Sequence, residues 1–451
     1  MVKYSFEILS VQRALGSLIM VCALAFLLLS WHVPIVHAST KTVESAGDGP
    51  ATPAHCPGAT CTLRDALAAA FPSDTIDFSL TLPATISLTS GELEITKSLT
   101  IDGPGSNLLS IDANNSSRII NVNLSASVVI SGTTIRNGTA SNGAGIMNSN
   151  GTFTLVNSQV RSNTASGGGG GIYNNATMTV TNTSVYSNSS PTAGGIYNLG
   201  VLTLNDSLVY GSLAGQGILN TGMLTITNST VRDNAASGIN NTFGSVTVSN
   251  STISSNAGNG IANSGTLTIT NSTISGNHTS GNGGGILTAF TSTVSLNNVT
   301  IAKNSADSGG GGIVANQSPA VVNFKNTLIA GNTAPFLGAD CHVFGGGMLN
   351  SLDYNLIQDT TSCTISGTVA HNVTGSDPKL APLGDYGGST MTHALYVGSP
   401  AIDAGNPGSP AVVPDACAVR DQRGVTRPIG ACDIGAFEGV EYPLYLPLIL
   451  K

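Results

Sequence analysis

Residues 217–234 read Gly217-Ile218-Leu219-Asn220-Thr221-Gly222-Met223-Leu224-Thr225-Ile226-Thr227-Asn228-Ser229-Thr230-Val231-Arg232-Asp233-Asn234. Leu224 and Ile226 alternate with Thr, and Val231 opens a second short run. That is the period of strands with one buried face. The Asn, Thr, Gly and β-branched residues that fill the stretch are poor helix formers. Two short strands joined by an Asn-Ser corner are therefore expected here.

The stretch recurs from about residue 131 to 335. Aligned on the first Asn of Asn-Ser-Thr, the copies anchor at Asn157, Asn182, Asn205, Asn228, Asn250, Asn271, Asn298 and Asn326, with Gly132 filling the slot one copy earlier. The steps are 25, 25, 23, 23, 22, 21, 27 and 28 residues. A Gly-Ile pair precedes most copies, from Gly145-Ile146 to Gly312-Ile313. This period suits a leucine-rich repeat or one turn of a parallel β-helix. The first would need more Leu and a helical half, so the alternation favours a coil of about three short strands per turn, stacked at roughly 4.8 Å. In such a stack each anchor Asn lies above its counterpart. Their amides can then donate up a column, while Asn also tolerates the left-handed conformation of a corner. A second column is Asn163, Asn188, Asn234, Asn256, Asn277, Asn304 and Asn332, interrupted at Gly211. One turn buries too little aliphatic surface to offset its own backbone entropy. The copies must form one cooperative rod, roughly 40 Å long for the anchored turns at that strand spacing.

Similar strand runs without the signature, Ile95 to Ile101 and Val128 to Ile130, extend the rod to residues 75–335. Before it, Thr62-Leu63-Arg64-Asp65-Ala66-Leu67-Ala68-Ala69-Ala70 predicts a helix. Thr62 and Asp65 suit a capping-box variant, and Leu63, Ala66, Leu67 and Ala70 form one apolar stripe. Residues 39–74 thus read as an N-terminal cap over an edge that would otherwise invite aggregation.

The composition agrees. Of 451 residues 55 are Gly, and only 9% are charged, against about a quarter in an average protein. A helical bundle and a charged disordered chain are both excluded. The formal net charge of -8 leaves no basic excess to displace counterions from phosphates, which excludes nucleic acid. Residues 1–38 read as an export signal, with Lys3 and Arg13, an apolar run from Ala14 to Trp31, and Val36-His37-Ala38 as a cleavage site. An uncleaved anchor is the alternative. Beyond it lie Cys56, Cys61, Cys341, Cys363, Cys417 and Cys432, and an even number of Cys in an exported chain predicts disulfides. Proximity favours Cys56 with Cys61, Cys341 with Cys363, and Cys417 with Cys432. No Cys or His spacing suits zinc. The apolar residues 439–451 are too few to span a bilayer and suit a docking tail or a last strand.

The repeat resembles that of secreted right-handed parallel β-helix proteins, in particular the polymorphic outer-membrane protein group, through Gly194-Gly195-Ile196 and Gly284-Gly285-Ile286. Where that group has Phe-x-x-Asn, this chain has Val231-Arg232-Asp233-Asn234. Cys61-Thr62-Leu63-Arg64-Asp65-Ala66-Leu67 is similar to the Cys-Ser-Leu-Arg-Glu-Ala element near the start of many bacterial surface β-helices. Residues 336–438 resemble a choice-of-anchor domain through Asp377-Pro378-Lys379-Leu380, Leu383-Gly384-Asp385-Tyr386-Gly387-Gly388, residues 398–405, Asp421-Gln422-Arg423-Gly424 and Asp433-Ile434-Gly435-Ala436-Phe437-Glu438. The resemblance implies an all-β, right-handed parallel β-helix with a helical N-terminal cap and a β-rich C-terminal domain, at a bacterial surface or secreted. It brings no catalytic residue with it.

Cleavage of carbohydrate on such a rod needs paired carboxylates, or carboxylates gathering calcium beside a cationic base, on neighbouring turns. Between 131 and 335 there is no Glu, and Asp206, Asp233 and Asp307 fall at different offsets from their anchors. Arg136, Arg161, Arg232, Lys303, Lys325 and His278 read as scattered. Asp385, Asp403, Asp421 and Asp433 could gather calcium, but each sits beside Gly or in a turn where Asp bonds its own backbone. No catalytic residue, cofactor or metal is therefore expected. The reading is an exported, non-catalytic surface protein that binds extracellular carbohydrate or protein. It would meet a membrane only through its signal or tail. The alternative is a pectate-lyase-like enzyme whose site lies among Asp74, Asp77, Glu92, Glu94, Asp102 and Asp112. That alternative requires at least two of these acids to share a groove with Arg118 or Lys97.

Overall fold

The computed structural model describes residues 38–408, 416–428 and 430–439. Most of the export signal and nearly all of the apolar tail lie outside the described residues. The account below concerns the unit from Thr40 onward.

One turn shows the plan. Ile146–Asn148 forms a strand on what we call face C, a Ser-Asn-Gly turn leads to Thr152–Val156 on face A, and an Asn-Ser corner leads to Gln159–Arg161 on face B. The next turn repeats the three strands at Ile172–Asn174, Thr177–Thr181 and Ser184–Tyr186. All pairings between these turns are parallel and in register, with Ile146 against Ile172, Phe153 against Met178 and Val160 against Val185. Face C alone holds 11 strands in one unbroken order. Inward positions such as Phe153, Leu155, Val160, Ile172, Met178 and Val180 are wholly buried and form one continuous core. This is the solenoid that the alternation implies.

The rod is longer than its signature. Thr40–Val43 already pairs with Thr75–Phe78, so the capping segment supplies the first strand and its helix is an insertion between two turns. That helix spans Leu63–Ala69 and carries the capping box at Thr62 and Asp65. At the other end the ladder does not stop at residue 335. It runs on through Cys341–Phe344, Met348–Leu352, Leu356–Ile357, Ile365–Thr368 and Val373–Thr374. The Asn-Ser-Thr corner is lost there, because Asp353 and Tyr354 take the left-handed positions, yet Leu349 and Ile357 still point inward.

The anchor column is the left-handed corner between faces A and B. Asn157, Asn182, Asn228, Asn250, Asn271, Asn298 and Asn326 all have φ between 45 and 52°. Asn205 does not belong to it. Register pairs Asn205 with Thr181, and Asp206 (φ 48°) takes the corner. Asp tolerates this conformation as Asn does, and adjacent Asn and Asp offered two frames. Within this column the amide of Asn182 donates to Asn157 at 2.7 Å.

The continuous amide ladders are elsewhere. Asn234, Asn256, Asn277, Asn304 and Asn332 donate in sequence from Nδ2 to the next Oδ1 at 2.8–3.0 Å, and Asn332 ends on Asp340 at 2.9 Å. The break in this column is at Ser212, whose N–H donates to Asn234; Gly211 is the left-handed residue before it. The other ladder was not anticipated. Asn148, Asn174, Asn198, Asn220, Asn241 and Asn263, the Asn of each Gly-Ile-x-Asn, are linked at 2.7–2.8 Å inside the rod.

Three disulfides join Cys56 to Cys61, Cys341 to Cys363 and Cys417 to Cys432. The segment after 375 folds back along the rod as a module that covers face B from Thr252 to Leu356. Gln422 bonds Thr252 and Thr273, His393 bonds Ser275, and the N–H of Ala436 donates to Thr300. Ala401 and Ile434 pack on Leu328, Ala330 and Leu356.

Candidate functional site

Face B is built from three-residue strands whose middle residue points inward, so the first and third residues face outward. Between the module and the N-terminal turns, four such strands stay uncovered: Gln159–Arg161, Ser184–Tyr186, Leu208–Tyr210 and Thr230–Arg232. Their third positions stack in register with Arg136 below them. The column reads Arg136, Arg161, Tyr186, Tyr210, Arg232, and its four steps at about 4.8 Å span ~19 Å.

The column is organised by ring and cation contacts. Tyr186 and Tyr210 are stacked with centroids 4.9 Å apart and planes 11° from parallel. The Arg232 guanidinium lies 5.0 Å from the centre of the Tyr210 ring, an attraction between a cation and the face of the ring. Gln159 accepts from the Tyr186 hydroxyl at 3.0 Å. Burial, with Tyr186 alongside, pushes the Tyr210 phenol above its ordinary range. Both tyrosines are half-buried. Arg136 is paired with Asp112 at 3.1 Å, and Arg232 is paired with Asp233. Arg161 has no partner among the described residues.

The ribbon is closed at both ends. At one end the loop Gly105–Leu108 rises beside Gln159, whose amide donates to Asn107 at 3.2 Å. With Asn157, Asn182 and Ser184 it encloses a groove of about 460 Å³. At the other end the Thr252 hydroxyl is bonded by the module's Met391 carbonyl and Gln422 amide.

The requirement set for a lyase site, two acids in one groove with Arg118 or Lys97, is met. Glu92, Glu94 and Lys97 do share one groove of about 400 Å³ with Arg64. Their chemistry is already committed, however. The Lys97 ammonium donates to the Leu67, Ala68 and Ala70 carbonyls at 3.4, 3.0 and 2.7 Å, closing the helix C-terminus. Arg64 holds Asp48 and the Gly91 and Glu92 carbonyls. Glu92 is held by Arg118 at 2.5 Å and Asn121 at 3.0 Å. Only Glu94 is exposed and unpaired among the described residues. Asp74 caps Phe71 N–H, Asp112 accepts from Asn137 and Asn114, and Asp102 accepts from Ser131. No group of three or more His, Cys, Asp or Glu among the described residues is placed to hold a metal ion.

Asp421 and Asp433 sit in a buried knot inside the module. Arg423 pairs with Asp421, and Arg427 pairs with Glu438, both at 2.7 Å. Asp403 meets Asp433 through its backbone N–H, and Asp385 holds Gly387 in a turn. Burial pushes the Glu438 carboxyl up to about 7 and raises Asp433 too.

Of the candidate residues, Asn157, Asn182 and Asn228 sit at the ribbon's corner, Asn205 one residue before it, and the Cys hold the two ends. The ribbon itself was missed. Its signal was available as residues four past each anchor, Arg136, Arg161, Tyr186 and Arg232.

Comparison with known proteins agrees with this architecture. A family model described as right handed beta helix region matches residues 214–377. The chain folds as a right-handed β-helix. The crystal structure of pectate lyase Pel9A is similar to this right-handed β-helix at 17% identity and a TM-score of 0.50, over 90% of this chain and 98% of that one. The PL6 family polysaccharide lyase Pedsa3628 from Pseudopedobacter saltans is similar at 14% identity and a TM-score of 0.41, over 68% and 90%. No curated protein matches.

Proposed function

We propose that this β-helix binds a linear acidic polysaccharide outside the cell, along the face B ribbon. The observation that carries the reading is Arg161, unpaired and in register with the stacked Tyr186 and Tyr210 on a stretch bounded at both ends. The stacked tyrosines offer ring edges and hydroxyls to a sugar, and an arginine fork suits a carboxylate or sulfate. The strand spacing along the rod is close to the rise of one sugar, so each turn can meet one ring. Three disulfides suit an oxidising, extracellular setting. Titration calorimetry of the full chain with polygalacturonate, alginate and neutral galactan tests this. An acidic polymer is expected to bind and to lose about tenfold or more in affinity in Arg161→Ala and in Tyr186→Ala. Equal binding of wild type and both variants would remove the ribbon from the reading.

The second reading is a polysaccharide lyase. It is supported by the likeness to Pel9A and by the convergence of Glu92 and Glu94 with Lys97 in one groove. Following the ultraviolet absorbance of unsaturated uronides in the same mixtures decides it. Product formation that is lost in Glu94→Gln supports cleavage in that groove.

A further inference from the structure

The corner that ends each face B strand is left-handed in successive turns, and its occupants are Ser162, Ser187, Gly211, Asp233, Ser255, Gly276, Lys303 and Gly331. Lys303 is the one long side chain in this series. At φ 60° it adopts a conformation that disfavours a residue with a Cβ. Gly331, one turn on, makes room for it: a Cβ there would stand 2.8 Å from the Lys303 Nζ. Against this corner the module brings Pro378, Lys379 and Tyr396. Together with Gln358 they enclose a cavity of about 380 Å³ where rod and module meet.

The polar groups of this cavity are unequally committed. Neither Lys303 nor Lys379 has an ion-pair or hydrogen-bond partner for its ammonium among the described residues. Lys379 is also left-handed, at φ 51°. The Asp377 carboxylate accepts from the Lys379 backbone N–H at 2.9 Å, within its own turn. Two ammonium groups against one carboxylate leave the lining net positive, in a chain whose formal net charge is -8. The Gln358 Oε1 accepts from Gly331 N–H at 2.9 Å, leaving its amide N–H groups for a ligand. Tyr396 is 56% exposed beside the lysines and presents a ring face.

We propose that this seam is a second binding site, for a single acidic sugar such as the uronate end of a glycan. The carboxylate lies between Lys303 and Lys379, the ring lies on Tyr396, and a hydroxyl accepts from Gln358. The site shares no residue with the face B ribbon, so it stands or falls without it.

The test is titration calorimetry of the full chain with galacturonate, glucose and inorganic phosphate, on wild type, Lys303→Ser, Lys379→Asn and Tyr396→Ala. Ser is the residue the same corner carries elsewhere, and Asn tolerates the left-handed backbone, so both lysine variants keep the fold. Galacturonate is expected to bind and glucose not to. Affinity should fall about tenfold or more in each lysine variant and fall in Tyr396→Ala as well, while Arg161→Ala leaves it unchanged. Phosphate binding as tightly as galacturonate, with no effect of Tyr396→Ala, overturns the sugar assignment. Galacturonate binding that survives Lys303→Ser, or no binding, overturns the site.

Discussion

Replacing Asn256 by Ala asks what holds the rod together between turns. The Asn256 Oδ1 accepts both the backbone N–H of Asn234 at 3.1 Å and its Nδ2 at 2.9 Å, while the Asn256 Nδ2 donates to Asn277 at 2.8 Å and to the Val231 carbonyl at 3.2 Å. The side chain is buried, with 1% of its surface exposed. Ala strands the Asn234 N–H and takes the better of two acceptors from its amide, whose other contact, to Val209, is long at 3.4 Å. The Asn277 Oδ1 is spared, because it still receives the backbone N–H of residue 256. One to two orphaned buried donors at about 1–3 kcal/mol each predict a loss of ~1–6 kcal/mol. Asn182→Gly is the control. That residue sits exposed at φ 45° and makes one side-chain bond to Asn157. Gly adopts the conformation freely, so a change below about 1 kcal/mol is expected. Urea unfolding followed by circular dichroism reads both as a shift in midpoint at constant slope. Equal losses in the two variants, or a loss below ~1 kcal/mol for Asn256→Ala, would refute the assignment of stability to the buried ladder rather than to the corner.

Further outcomes follow from the module and the cap. His393 is held neutral, with Nδ1–H donating to the Ala381 carbonyl and Nε2 accepting from Ser275, and burial lowers its pKa. A base depressed on folding contributes stability above its unfolded value of about 6.5 and loses it as pH falls through the window below. Hydrogen exchange in the module should therefore quicken on acidification, and His393→Gln should flatten that response. Glu438 and Asp433 act in the other sense: their raised values contribute stability at low pH that is lost as pH rises, for Glu438 through about 7. Glu438→Gln should flatten the alkaline limb of the same exchange profile. At Gly405 a Cβ would stand 2.6 Å and 2.7 Å from the Cys432 and Cys417 sulfurs, so Gly405→Ala should leave two thiols open to titration where wild type has none from this pair. Asp65→Ala removes acceptors from Thr52, Thr62 and His55 and is expected to cost about 1–2 kcal/mol, read as a lower thermal midpoint.

What could be read in advance was whatever repeats with the turn. Alternation gave inward and outward positions, and the Gly-Ile and Asn-Ser pairs gave the turn length, because these depend on local conformation alone. The ladder of Asn148, Asn174, Asn198, Asn220, Asn241 and Asn263 was visible as a repeated letter, but nothing in the letters says whether an Asn faces core or solvent. The ribbon was hidden for another reason. Arg161, Tyr186 and Tyr210 occupy a variable position, and only strand register shows that they share a column. The slip between Asn205 and Asp206 moved Tyr210 out of line by one residue, which in a strand means the opposite face. The lyase alternative met its requirement of proximity, with Glu92 and Glu94 beside Lys97 in one groove; what composition could not show is that Lys97 also closes a helix.

The column that carries the ribbon also explains where the ribbon ends. Past Arg232 its occupants become Ser254, Ser275, Ala302 and Ala330, all at most 4% exposed. Small residues there let the module's backbone approach the face. The adjacent Thr252, Thr273 and Thr300 turn from solvent-facing positions into hydrogen-bonding partners of Gln422, Thr392 and Ala436. One column thus serves two purposes along one rod, long side chains where a ligand can lie and short ones where the chain covers itself. The uncovered length is therefore set by where large residues give way to small ones, not by the number of turns. A chain with Ser254→Tyr should show this: the ring would collide with the module, and proteolysis between residues 375 and 439 should accelerate while the rod stays protected. If the module stays as resistant as in wild type, the small column is not what seats it.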